Sequence, residues 1–205
     1  MDDSTAEIRP YEPGDLDAVS RVCLLTAEAG GDASGLYVSD DLMPDVFARP
    51  YLAYQPDLAF VVEDADGVAG YILGVADTAS FVRWFGTEWV PTAIAGRYAH
   101  TQPVVSKDDL IRHLAFTPER MLIPELVDYP AHLHIDLLPR VQGRGLGRTL
   151  IEVLVETLRG RGLPGLHLSM DAANTGARAF YDRLGFTELP SSTPDAPTLG
   201  LRLRP

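Results

Sequence analysis

The chain has 205 residues, of which 46% are hydrophobic and 22% charged, a balance that builds a packed core and excludes a disordered or membrane-spanning polymer. Its net charge of −12 is uneven: residues 1–100 hold 17 acidic against 5 basic side chains, and residues 101–205 hold 12 of each. That excludes a basic stripe for nucleic acid along the whole chain, and the single cysteine, Cys23, supplies neither an internal disulfide nor a thiolate zinc cluster.

Met1–Pro10 is acidic and has no apolar run, so it reads as no secretory signal, and a reducing cytoplasm is the expected compartment. Glu7–Pro10 reads as a first strand. Pro13, Gly14 and Asp15 open a helix to about Ala29, with Leu16, Val19, Val22 and Cys23 on one face. Residues 30–57 are rich in Gly, Pro and Asp and read as loop, with one short helix near Leu42–Ala48. Phe60–Val62 and Val68–Val75 are apolar runs joined by Asp64-Ala65-Asp66-Gly67, which is the pattern of a hairpin. Residues 78–130 hold Trp84, Trp89, several prolines and a helix near Lys107–Leu114. Their broken periodicity reads as a helical and loop insertion in a single domain spanning 1–205. A substrate pocket and a structural cover or dimer surface are equally consistent with it.

From residue 131 the pattern sharpens. Ala131–Leu138 is a strand ending at Pro139, followed by the glycine-rich turn Gln142–Gly147. Arg148–Arg159 is a helix with Leu150, Ile151, Leu154, Val155 and Leu158 in one stripe. Leu166–Met170 is a strand, Asn174–Leu184 a second amphipathic helix capped by Gly185, and Phe186–Leu189 and Thr198–Arg204 are two final strands.

A strand, a glycine-rich turn and a helix start together form an anion site, because the first helical N–H groups lack partners and the helix dipole adds partial positive charge. Gly143, Gly145 and Gly147 allow close backbone approach, and Arg144 and Arg148 add formal charge. The spacing is neither the phosphate loop G-x-x-x-x-G-K-[ST] nor the dinucleotide pattern G-x-G-x-x-G. An ordinary mononucleotide or dinucleotide site is therefore disfavoured.

Leu137-Leu138-Pro139-x-x-Gln142-x-x-Gly145-x-Gly147 resembles the acetyl-CoA signature of the GNAT superfamily of N-acetyltransferases. Asn174-x-x-Ala177-x-x-Phe180-Tyr181-x-x-Leu184-Gly185-Phe186 resembles the family's second signature. Phe60–Gly67, Gly70–Gly74 and Trp89-Val90-Pro91 are similar to the acetyltransferase-like domain appended to eukaryotic O-GlcNAc hydrolases, whose glycosidase part has no counterpart in these residues. The resemblance implies an α/β fold with a mixed, mostly antiparallel central sheet flanked by helices on both faces. It implies acetyl-CoA as donor, no metal, and direct attack by an amine acceptor in a ternary complex.

By the same resemblance, Ile135, Asp136 and Leu137 orient the acetyl and pantetheine groups. Gln142 belongs to the donor-binding set, Gly143, Arg144, Gly145, Leu146, Gly147 and Arg148 hold the pyrophosphate, Asn174 bonds the pantetheine arm, and Tyr181 donates a proton to the leaving thiolate. Period-two spacing puts His132, His134 and Asp136 on one strand face and Ile135 and Leu137 on the other. Asp136 is the first candidate for the general base, followed by His134 and Asp171.

Two other readings stay open. A non-catalytic acetyl-CoA-binding or protein-interaction module of GNAT fold fits the same motifs. His132-x-His134-x-Asp136 also resembles the start of a zinc-hydrolase signature, although Leu137 stands where that signature has its final histidine. The acidic first half is consistent with attraction of a cationic amine and, more simply, with solubility alone; Tyr37, Tyr51, Trp84 and Trp89 are candidates to line an acceptor pocket or to belong to the core, no membrane partner is expected, and a homodimer is common in the superfamily.

Overall fold

The computed structural model describes residues 6–203. The acidic start Met1–Thr5 and the end of the last expected strand at Arg204 lie outside them. Among the described residues, strands β1 (Glu7–Pro10), β2 (Ala59–Asp64), β3 (Gly67–Val75), β4 (Ala131–Leu137), β5 (Gly165–Ser169), β6 (Thr187–Glu188) and β7 (Thr198–Arg202) form one sheet in the order β1-β2-β3-β4-β5-β7-β6. Every neighbouring pair is antiparallel except β4 and β5. These two pair only at Ala131↔Leu166 and His132↔His167, although β4 runs on to Leu137. The sheet therefore opens a gap beyond His132.

Helices cover both faces, as expected. On one face lie α1 (Leu16–Thr26), α2 (Leu42–Phe47), α3 (Arg49–Tyr54), α4 (Thr78–Trp84) and α5 (Lys107–Phe116), packed over Val61, Tyr71, Leu73 and Val75. On the other, α6 (Leu146–Gly160) and α7 (Thr175–Arg183) pack over Val62, Ile72, Leu133 and Leu166. The predicted stripe of α6, Leu150, Ile151, Leu154, Val155 and Leu158, is buried throughout. Each such side chain contributes roughly 1.5–3 kcal/mol by transfer from water.

Two local expectations need correction, and one helix has an unusual form. The first helix stops at Thr26 rather than Ala29, where the backbone turns to a positive φ of 50° at Ala29. The expected loop 30–57 holds two helices instead of one. Its prolines fall in the first turns, Pro44 in α2 and Pro50 in α3, where an N–H has no helical acceptor to lose. The buried Asp45 then fastens this pair of helices, accepting from Arg49 at 2.7 Å, from the Tyr98 hydroxyl at 2.8 Å, and from Arg97. Finally, α4 continues into a π-helix over Phe85–Ile94, whose wide turns accommodate Pro91. None of the helices among the described residues is long and apolar enough to cross a membrane.

Candidate active site

The β4–β5 gap is the centre of the site. The Leu138 N–H donates to Ala69 on the β3 side, so strand alternation turns the main-chain groups of Ile135 and Leu137 toward the gap. The loop that follows β4 is tied back to it by the Gln142 amide, which donates to the Leu137 carbonyl at 2.7 Å. Gly145 then adopts a left-handed φ of 82° as the N-cap of α6 and, lacking a side chain, leaves the helix start open. Among the described residues, no acceptor meets any main-chain N–H from Gly143 to Arg148. These amides face a cleft of about 410 Å³ lined by Ile135, Leu137, Gln142, Gly147, Phe180 and Arg183, among others. A Cβ on Gly147 would lie 3.2 Å from Leu137 and 3.3 Å from Phe180, so the start of α6 sits tightly between strand and α7.

Charge at this cleft is selective. Arg140 is held by Asp64 at 2.8 Å, and Arg148 approaches Glu152 at 3.8 Å. Arg144 and Arg183 have no ion pair among the described residues. Open amides, a helix N-terminus and two uncommitted guanidiniums form a cradle for a polyanion.

The opposite face of β4 carries side chains instead. The Tyr71 hydroxyl donates to Asp136 at 2.5 Å, beside Cys23 and Thr26 of α1. Burial pushes the Asp136 carboxyl up to about 7, against a partial downward pull from Tyr71 and Thr26. The Tyr51 hydroxyl lies 3.0 Å from Nε2 of both His132 and His134, and Thr78 Oγ1 lies 2.8 Å from His132 Nδ1. Burial drives His132 well below the usual histidine range, and burial with the charge of Arg120 takes His134 down to about 4. These rings border a second cavity of about 530 Å³, mostly apolar, lined by Phe47, Tyr51, Leu114, Met121 and Ile123, with Arg120, Asp171 and Asp195 as its charged groups.

The family model for the acetyltransferase (GNAT) family matches residues 32–186. The chain belongs to the GNAT acetyltransferase family. It is 28% identical over 190 residues to the protein O-GlcNAcase of Rattus norvegicus, covering 89% of this chain but only 20% of that relative. It is 34% identical over 116 residues to the 5-NmdU N-acetyltransferase of Pseudomonas phage PaMx11, covering 57% of this chain and 78% of the phage protein. The solved structure of SsHAT superimposes with a TM-score of 0.90 at 47% identity, covering 98% of this chain and 100% of that one.

In this GNAT fold the residues read from sequence separate into groups. Ile135, Leu137, Gln142, Gly143, Gly145, Leu146, Gly147 and Arg148 line the first cleft, while Arg144 stands exposed beside it. Asn174 does not line it; its Oδ1 accepts from the Ala177 N–H at 3.0 Å and caps α7. Tyr181 is buried, with its hydroxyl unbonded among the described residues, and burial together with the Asp136 charge raises it above the usual phenol range. Asp136 lines neither cavity, whereas His134 and Asp171 line the second.

Of the aromatic candidates, Tyr51 reaches that second cavity and Tyr37, Trp84 and Trp89 do not. The ring nitrogens of His132 and His134 share the Tyr51 hydroxyl, His132 also meets Thr78, Asp136 accepts from Tyr71, and no cluster of metal-ligating side chains forms among the described residues. Phe180 and Arg183 also line the first cleft, and their i, i+3 spacing, which puts them on one helix face, is the signal the sequence holds for them. Thr78 and Arg120 carry no sequence signal.

Proposed function

We infer that this GNAT protein transfers an acetyl group from acetyl-CoA to a primary amine. The observation that carries the reading is the run of open amides from Gly143 to Arg148 beside the unpaired edge of β4. Acetyl-CoA supplies the activated acetyl thioester. The residue 143–148 amides, with Arg144 and Arg183, hold its pyrophosphate. The main-chain groups of Ile135 and Leu137 pair with the pantetheine amides in the manner of an added strand. Tyr181 keeps its proton at neutral pH and donates it to the departing sulfur.

The amine is assigned to the second cavity, whose lining includes Leu133 of β4 and Leu168 of β5, the two strands that border the gap. An apolar body fits Phe47, Leu114, Met121 and Ile123, and Asp171 and Asp195 favour its cationic nitrogen. Calorimetric titration with acetyl-CoA and with CoA is the first test, followed by CoA release in the presence of a panel of primary amines. One saturable donor site and amine-dependent release are expected. Tyr181→Phe is expected to lower turnover about 100-fold or more with donor affinity nearly unchanged. Donor binding without turnover of any amine would make the protein a binding module instead.

A further inference from the structure

The polar chain on the helical face of β4 has a direction. Thr78 Oγ1 lies 2.7 Å from the Pro130 carbonyl oxygen, which can only accept, so the hydroxyl proton of Thr78 points there. Thr78 Oγ1 therefore accepts from His132 at 2.8 Å, and the proton of neutral His132 sits on Nδ1. The bare Nε2 of His132 takes the hydroxyl proton of Tyr51, which burial keeps un-ionised. With that proton committed, the Tyr51 oxygen can only accept from His134 Nε2. His134 is neutral as well, so its Nδ1 is left as a bare lone pair. That nitrogen has no hydrogen-bond partner among the described residues, and its ring lines the second cavity.

We propose that His134 Nδ1 is the proton acceptor for the attacking amine, with its tautomer and orientation set by the chain Pro130–Thr78–His132–Tyr51. This rests on the transferase reading. As the acceptor nitrogen forms its bond to the acetyl carbon, it loses one proton to His134 Nδ1. The carbon–sulfur bond breaks, the sulfur takes a proton from Tyr181, and His134 and Tyr181 then reset by exchanging that proton through solvent. An acceptor arriving as ammonium sheds its extra proton to water first. When His134 becomes imidazolium, Nε2–H still donates to Tyr51, so the chain need not rearrange. The ionisable and charged groups around this ring are Tyr51, His132, His167, Arg120, Asp171 and Asp195, and of these Arg120 opposes the charge that His134 acquires, which keeps the imidazolium transient. Thr78, His132 and Tyr51 are positioning residues, since none needs to touch the acceptor.

The test uses the full chain. Proton–nitrogen correlation spectra of the free protein should give His134 a pyridine-type Nδ1 and a protonated Nε2, and Tyr51→Phe should mix the two tautomers. With acetyl-CoA and any amine the wild type turns over, His134→Gln should lower kcat about 100-fold. It should also leave acetyl-CoA affinity within twofold and abolish the loss of rate on acidification. Tyr51→Phe should lower kcat about tenfold with the KM for acetyl-CoA unchanged. A proton on Nδ1 in the wild type, or His134→Gln turnover within threefold, would overturn the assignment. So would loss of the acid limb in Asp136→Asn but not in His134→Gln. Failure of the wild type to acetylate any amine would instead overturn the transferase reading, and the base assignment with it.

Discussion

On the α6 side of β4 the groups offered to a ligand belong to the main chain, whereas on the α1–α5 side they belong to side chains from distant elements. The first surface is the open amides of residues 143–148 and the edge of β4 at Ile135 and Leu137, which β5 does not pair. Under the proposed function its specificity is for a shape and a charge, a polyanion with an amide-bearing arm, and side-chain identity matters mainly where glycine is required. The second surface joins Tyr51 of α3, Thr78 of α4, Arg120, and His132 and His134 of β4. Its polar atoms satisfy one another in a low-dielectric setting, so proton positions there are fixed by packing.

Asp136 offers the largest break in that contrast, because it is the side-chain face's most perturbed carboxyl. Burial pushes it up to about 7 from an ordinary value of 3.8. Between those values the folded protein keeps a proton that the unfolded chain has released, so stability falls as pH rises through the window. The loss at neutral pH is on the order of 3–4 kcal/mol. Asp136→Asn cannot ionise and keeps an acceptor for the Tyr71 hydroxyl. Urea unfolding between pH 4 and 8 should therefore show the two proteins diverging, with the variant gaining on the wild type as pH rises. Parallel curves would mean that Asp136 ionises as freely as an exposed carboxylate.

Gly145 tests the main-chain face. Any side chain there must take a left-handed φ of 82°, at about 1–2 kcal/mol for an L-residue. Gly145→Ala carries that strain alone, while Gly145→Glu adds a carboxylate against the open amides. Calorimetry with CoA should show a roughly hundredfold or greater loss for the glutamate variant, equivalent to about 2.7 kcal/mol. The alanine variant should lose markedly less. Equal affinities in the two variants would show that charge at this loop plays no part in donor binding.

The unequal legibility of the two faces has the same origin. The donor face is written in consecutive residues: β4, the turn at Gly143 and Gly145, and the α6 stripe follow one another within thirty residues, so periodicity and glycine spacing expose them. Period two alone separated Ile135 and Leu137 from His132, His134 and Asp136, as the sheet does. The acceptor face is assembled across α3, α4, the segment around Arg120 and β4. Contacts such as Tyr51 with His134, 83 residues apart, leave no local trace. A helix near Leu42–Ala48 was legible despite Pro44, whereas α3 was not, because the cost of Pro50 depends on its place in the first helical turn. Asn174 kept its place in the family motif, but its oxygen serves α7 as a cap.

Charge near the donor cleft refines the comparison, with the smallest effects. Arg140, Arg144 and Arg148 read alike in sequence, yet only Arg144 stands without an ion pair among the described residues. Arg140 is held to Asp64 by two hydrogen bonds, at 2.8 and 3.3 Å, a contact that fastens the loop to the β2–β3 hairpin. Arg144→Ala should weaken CoA binding roughly three- to tenfold at low salt, with the difference shrinking as ionic strength rises and the exposed charge is screened. Arg140→Ala should leave affinity and its salt slope within twofold of the wild type. If both variants lose affinity equally, the Asp64 pair dissolves when the anion arrives and Arg140 swings to it. The donor cradle would then include a side chain that the ligand recruits, and the division between main-chain and side-chain faces would be less complete.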